Sequence, residues 1–232
     1  MTITPALLAS LTFLGLTGVG YLAQVLKLLR RDRACKAGKL PQDKVCDGLL
    51  PFREFVSFTA FLLFGLSGAT RPNLDVVLVG TRFPVILLAV FVLGILARYG
   101  AVNARLYFRL ALVGAALFLV TVSLQLNGVS FADTVLPMLI DKVLAVVSLF
   151  LFFSKGAQAR QMFLSKRTAA VSWFREIGLV AKDLSGLWYA YSVGSELFWV
   201  GFTHVLSALS SGLICCSKLV VERTLSSRKA TD

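Results

Sequence analysis

Acidic side chains are scarce in this chain. Twelve Asp and Glu stand against 24 Lys and Arg, a formal net charge of +12 over 232 residues. Charge of either sign is sparse at 16%, where soluble domains carry about a quarter. There is one histidine, His204, and four cysteines, Cys35, Cys46, Cys215 and Cys216. Neither cysteine pair has metal-ligand spacing with histidine, and no disulfide framework is visible. His204 has no Ser or Cys partner arrangement, and neither a Walker loop nor a dinucleotide fingerprint occurs. The expectation is no enzyme, no cofactor and no metal. Regular polar–apolar alternation is missing too, which excludes an outer-membrane strand pattern. No soluble stretch is available to turn the positive charge toward nucleic acid, so no nucleic-acid partner is expected. Cys215-Cys216 reads either as packing residues or as a palmitoylation site.

What the chain has is apolar length. Hydrophobic residues make up 57% and the mean hydropathy is +0.79. Runs near 20 residues recur, each about enough for a hydrocarbon core of roughly 30 Å. The fold class expected is an all-α polytopic membrane protein with the lipid bilayer as its first partner. Predicted helices cover about 6–29, 52–69, 76–97, 106–126, 135–154, 171–193 and 197–221. The first lacks a basic n-region and is too long for a signal-peptide core, so it reads as a retained helix. Its Gly15, Gly18 and Gly20 suit close helix packing. Residues 30–51 read as a basic loop, with Pro41-Gln42 lying away from any helix, and the tail from Glu222 reads as polar and mobile. Asn127-Gly128 is a turn signal.

The sixth helix carries Arg175, Glu176, Lys182 and Asp183 in its first half. Charges at that depth either face a bundle interior or wet cavity, or belong to an amphipathic helix on the membrane surface. With seven crossings, Arg71 and Arg82 stand apart from the basic loops and tail, which share one side. The positive-inside bias favours that arrangement. It puts the N-terminus outside or in a lumen and the C-terminus in the cytosol, in an organelle or endomembrane.

The chain also echoes itself. Phe52-Arg53-Glu54 and Phe174-Arg175-Glu176 stand 122 residues apart, Asp75…Gly80 and Glu196…Gly201 stand 121 apart, and Ala23-Gln24 and Ala157-Gln158 stand 134 apart. The order is the same in both copies: helix, Ala-Gln, basic turn, Arg-Glu, second helix, acidic residue, Gly, third helix. The expected organisation is a three-helix repeat over 1–100, a linker helix over 101–130, a second repeat over 131–222 and a tail over 223–232. An odd linking helix makes the repeats parallel.

This layout resembles the PQ-loop and SWEET-type transporters, whose helices are arranged three plus one plus three. Ala157-Gln158, Lys166-Arg167-Thr168 and Ser172 are similar to that family's Pro-Gln helix and basic turn. Gly186-Leu187-Trp188-Tyr189-Ala190-Tyr191 is similar to its aromatic second helix, and His204–Leu213 to its small-residue third helix. Both prolines of the motif are alanine here, with Gly20 and Gly156 nearby. The resemblance implies alternating access for a small polar, even anionic, solute. It implies substrate contacts at Arg82, His204, Trp188 and Tyr191, and gating or proton coupling at Arg53, Glu54, Arg175, Glu176 and Asp183. Hinges would fall at Ala23, Gln24, Ala157 and Gln158. Plainer readings of the same residues remain: Arg82 snorkels, His204 and the aromatics pack, and the Arg-Glu pairs anchor at an interface. Assembly into a homo-oligomer is left open. A second resemblance covers Leu179–Leu213, with Lys182-Asp183-Leu184, Val200-Gly201-Phe202 and Leu206-Ser207-Ala208. It is similar to the C-terminal region of the peroxins that elongate peroxisomes, and implies membrane shaping instead. Against it, Ala6–Leu29 is apolar all round rather than amphipathic.

Overall fold

The computed structural model describes residues 5–71, 74–131, 133–193 and 198–229. Seven α-helices follow one another: α1 (Pro5–Lys36), α2 (Pro51–Ala69), α3 (Val76–Arg98), α4 (Ala104–Leu126), α5 (Leu136–Ser165), α6 (Trp173–Val193) and α7 (Phe198–Lys229). No strand occurs among the described residues. Pro51 and Pro137 sit in the first turns of α2 and α5, where a missing N–H costs nothing. Asp75 caps α3, its carboxylate accepting from Leu78 N–H at 2.8 Å, which satisfies one orphan donor. Among the described residues, five stretches are long and apolar enough to cross a membrane: Pro51–Ala69, Leu78–Arg98, Ala104–Leu126, Leu136–Ser165 and His204–Ser226. The protein is therefore a helical membrane protein.

Three helices outrun their apolar stretches. α1 continues to Lys36 because Arg and Lys are good helix formers and suit a helix C-terminus. There Asp32 accepts from Tyr99 at 2.5 Å and pairs with Lys36 at 2.7 Å, tying α1 to the end of α3. Hydrogen bonds from Lys36 and then Tyr99 hold the Asp32 carboxyl below its ordinary value of 3.8. The clasp is thus fully present above that value and is lost only as pH falls through the lower folded one. α5 runs on to Ser165, and α7 to Lys229 where a mobile tail was expected. Lys218 pairs with Glu222 at 2.5 Å and Trp173 Nε1 donates to Glu222 at 3.0 Å, so the polar turns dock onto α6. Pro41 caps a short 3₁₀ turn at Gln42–Lys44, whose end is held by Arg31 donating to the carbonyls of Lys44 and Val45.

α3 packs against both α1 and α2, and α7 packs against both α5 and α6; α1 also packs on α6, and α2 on α5. α4 lies outside, against α2 and α3. The α1–α6 crossing is made backbone to backbone. A Cβ on Gly178 would lie 2.6 Å from the Leu16 carbonyl oxygen, and one on Gly20 would lie 3.0 Å from the Arg175 Cα. Small residues at a crossing allow that approach in lipid. Outward faces of α4 and α5 present Leu106, Leu110, Leu117, Phe150 and Phe153, as surfaces in contact with lipid tails do.

The loops after α1 and α5 meet at one end of the bundle, called the basic end below. Ala170 N–H donates to the Asp47 carbonyl at 3.0 Å. Gly48 has φ +85°, and a Cβ there would sit 2.4 Å from the Arg167 carbonyl oxygen. Gly48→Ala should therefore cost about 1–3 kcal/mol, read as a lower thermal midpoint of the detergent-purified protein. An unchanged midpoint would mean that the two loops separate freely.

A buried charge layer and a cavity

α2 and α6 both enter the bundle from the basic end, each with an Arg-Glu dipeptide in its first turn. The two dipeptides exchange partners. Arg53 Nη2 donates to both Glu176 oxygens at 2.9 and 2.8 Å. Arg175 donates through Nη1 and Nη2 to the two Glu54 oxygens, each at 2.7 Å. Arg175 thus holds Glu54 in a bidentate fork, the strong geometry for a guanidinium on a carboxylate, while Arg53 places one nitrogen between both oxygens of Glu176. All four side chains are at most 1% exposed. Two positive and two negative charges balance, so desolvation is met by pairing within the layer. The likeness of the halves extends to detail: Nε of Arg53 and Nε of Arg175 both lack a hydrogen-bond partner.

The glutamines of the two Ala-Gln motifs brace this layer. Gln24 Nε2 donates to the Ala170 carbonyl at 2.8 Å and its Oε1 accepts from Ser172 N–H at 2.8 Å. It thereby clamps α1 to the segment that leads into α6. Gln158 Oε1 accepts from Arg53 at 3.5 Å. Tyr21 adds its hydroxyl to Arg175 at 2.9 Å and its ring face at 4.3 Å. Helix runs unbroken through Ala23-Gln24 and Ala157-Gln158 in this conformation.

About 12 Å further along α6, eight residues on at 1.5 Å each, lies a cavity. On its polar wall, Lys155 Nζ lies 3.2 Å from the Ser207 carbonyl oxygen, 2.7 Å from Ser207 Oγ and 2.7 Å from Ser211 Oγ. Asp183 Oδ1 meets both the Lys182 ammonium and His204 Nδ1, the latter at 3.0 Å. Asp183 Oδ2 is buried without a hydrogen-bond partner. α2 supplies the facing wall with Ser57, Ala60, Phe61 and Phe64. The enclosed volume is about 20 Å³, room for roughly one water. The two walls differ sharply in character. Counting back 122 residues, the positions matching Lys182 and Asp183 are Ala60 and Phe61, so charge comes from one half and apolar surface from the other.

The residues singled out from sequence separate into groups. Arg53, Glu54, Arg175 and Glu176 come together in the charge layer, and Asp183 and His204 in the cavity wall. Arg82 stands behind that wall, 5.8 Å over the Phe64 ring and 2.6 Å from Thr81 Oγ1. Trp188 lies on the outer face of α6, 50% exposed. The Tyr191 side chain and Glu196 lie outside the described residues. Lys155 was missed: it falls one residue past the predicted end of the fifth helix. A signal did exist: Ser148, Leu151 and Lys155 follow i, i+3, i+7 spacing, as do His204, Ser207 and Ser211, which places each trio on one helix face.

Among the described residues no group of three or more His, Cys, Asp and Glu could hold a metal. No protein-family model matches the chain, and neither does any curated protein. The geometry alone carries the functional reading. Buried ammonium groups, a carboxylate, an imidazole and serine hydroxyls converge on a small space, and together they can bind a polar solute.

Proposed function

We propose that this protein is a membrane transporter of a small polar, anionic solute, working by alternating access with seven helices crossing as two parallel three-helix units and a linker. The observation that carries the reading is the exchange of ion pairs between α2 and α6 beside a cavity walled by both helices. The packing order supports it: α3 between α1 and α2 matches α7 between α5 and α6. α6 supports a crossing too. Its charges Arg175, Glu176, Lys182 and Asp183 are buried, whereas Phe174, Ile177, Leu184 and Trp188 face outward. That is the reverse of a helix lying on a membrane surface. In this scheme the charge layer is the closed gate on the basic, cytosolic side, and a solute enters from the other side.

Two measurements test it. Single cysteines at 70–75 and at 194–196 should both be labelled by an impermeant thiol reagent from the side opposite the basic end. The native Cys46 interferes little, because burial pushes its thiol up to about 12 and leaves scarcely any thiolate at neutral pH; exposed Cys216 is first changed to serine. Labelling of the two loops from opposite sides would sink the seven-crossing scheme. Liposomes holding the purified protein should take up small anions saturably, with His204→Ala slowing uptake at least tenfold and Arg82→Ala less, since Arg82 does not line the cavity. Silence across an uptake screen, together with elongated organelles on overexpression, would favour membrane shaping instead.

A further inference from the structure

We infer that the outward face of α4 binds an anionic phospholipid of the surrounding bilayer, with Arg105 and Arg109 holding its headgroup phosphate at the basic end and the apolar ridge that follows them holding its acyl chains. Such a site requires a helical membrane protein and nothing of the transport reading.

Position carries the inference. α4 packs on α2 and α3 through a buried line of Ala104, Ala111 and Phe118 and turns its other side outward. Arg105 and Arg109 are both exposed on that outward side. Four residues apart, they are neighbours on the helix surface, and Val113, Leu117 and Val120 continue the same exposed face. No charged side chain occurs from Leu110 to Leu126. That stretch is about 25 Å long at 1.5 Å per residue, most of a hydrocarbon core of roughly 30 Å. Arg109 therefore stands at the rim of the core, where a guanidinium on its long stem reaches the phosphate layer. Tyr107, between the two arginines, stacks on the Phe55 ring at 5.0 Å and lies 6.3 Å from the Phe52 ring. A tyrosine at this level suits a membrane–water boundary.

Charge complementarity names the occupant. Several cations at the basic end are already engaged by the protein. Lys27 donates to the Val171 carbonyl at 2.7 Å, Arg31 donates to the carbonyls of Lys44 and Val45, and Lys218 pairs with Glu222. Asp32, beside the end of α3, is taken by Tyr99 and Lys36. Arg105 and Arg109 have no ion pair among the described residues. Like charges at this spacing repel on a helix. The first turn of α4 also has no acidic residue, and Asn103 makes no capping bond, so the positive helix end adds to the two guanidinium charges. The positive-inside bias is met by loop cations such as Arg33 and Lys39; it does not call for cations on the lipid-facing line of a helix. A phosphodiester accepts the forked donors of arginine. A choline headgroup would bring a cation back to the pair, so a headgroup of net negative charge is preferred. A soluble phosphate would satisfy the arginines and leave the apolar ridge unused.

The test uses the full chain in nanodiscs of phosphatidylcholine with and without phosphatidylglycerol. The protein is released into mild detergent, and the lipid it retains is counted by native mass spectrometry. Retained lipid should be enriched in phosphatidylglycerol, and the thermal midpoint should be higher in discs that contain it. Each arginine at an anionic surface is worth about fivefold in binding. Arg105→Gln/Arg109→Gln should thus cut the enrichment by tenfold or more and abolish the gain in midpoint. In pure phosphatidylcholine its midpoint should not fall, because the repulsion between the arginines is gone. Full enrichment in this variant overturns the site. Arg33→Gln/Lys39→Gln removes the same charge from the same end and should keep most of the enrichment. An equal loss in both variants also overturns the site, since overall charge then draws the lipid. Should the first variant not fold, Arg109→Gln alone should cut enrichment by about fivefold, and no change there counts against the pair. Soluble glycerol-1-phosphate raising the midpoint as much as phosphatidylglycerol would refute a lipid as the occupant.

Discussion

Arg53→Glu should be among the most damaging single changes in the chain. It would place three carboxylates, the new one with Glu54 and Glu176, around the single guanidinium of Arg175 in a region closed to water. Removing one partner of a buried pair costs about 3–5 kcal/mol, and a like charge in its place adds repulsion. The expected result is loss of the monodisperse species in detergent or a steep fall in thermal midpoint. Arg53→Glu/Glu176→Arg should recover most of the loss, because the pair is rebuilt in reverse. If the double variant is no better than either single one, pairing across α2 and α6 is not what holds the layer together. In the transport reading, the milder Glu176→Gln should weaken the closed gate, and impermeant reagents arriving from the basic end should then reach a cysteine placed at Ser57.

Asp183→Ala should come next, at about 3–5 kcal/mol with uptake abolished. Lys182 and His204 both lose their carboxylate, and Lys155 loses the one negative charge that the described residues place on its wall. Adding Lys182→Met should restore much of the thermal stability, since charge balance returns, yet uptake should stay absent. The pair of variants separates the two roles of Asp183. Recovery of uptake along with stability would mean that the carboxylate only offsets Lys182 and takes no part in binding.

Much of the helix order was legible in the sequence, because apolar runs near bilayer length leave few alternatives. The ends were not. Arg and Lys extend α1 and the last turns of α7 as readily as they form loops, so hydropathy stops short of where helix stops. That error had a cost at Lys155. A predicted helix ending at residue 154 puts Lys155 at the membrane surface, but α5 continues ten residues beyond it, about 15 Å, which carries the lysine inward. The Arg-Glu repeat was legible as spacing, and its depth was not: an Arg-Glu dipeptide at a helix start reads equally well as an interfacial anchor. The close crossing of α1 and α6 at Gly20 and Gly178 helps to set the depth of the second dipeptide. Arg82 shows the reverse case. Counting 122 residues back from His204 leads to it, but it lies over the Phe64 ring and does not line the cavity.

The partner exchange between Arg53-Glu54 and Arg175-Glu176 has a further consequence. Each half presents both a donor and an acceptor, and each meets its opposite on the other half. Such a contact is self-complementary in the manner of an isologous dimer interface, here made within one chain. A contact of that kind needs no second, tailor-made surface, and one half alone carries every charge required to pair with a copy of itself. The dipeptides in the charge layer are alike, whereas Ala60 and Phe61 on one side and Lys182 and Asp183 on the other differ, which gives the cavity an apolar wall and a polar one.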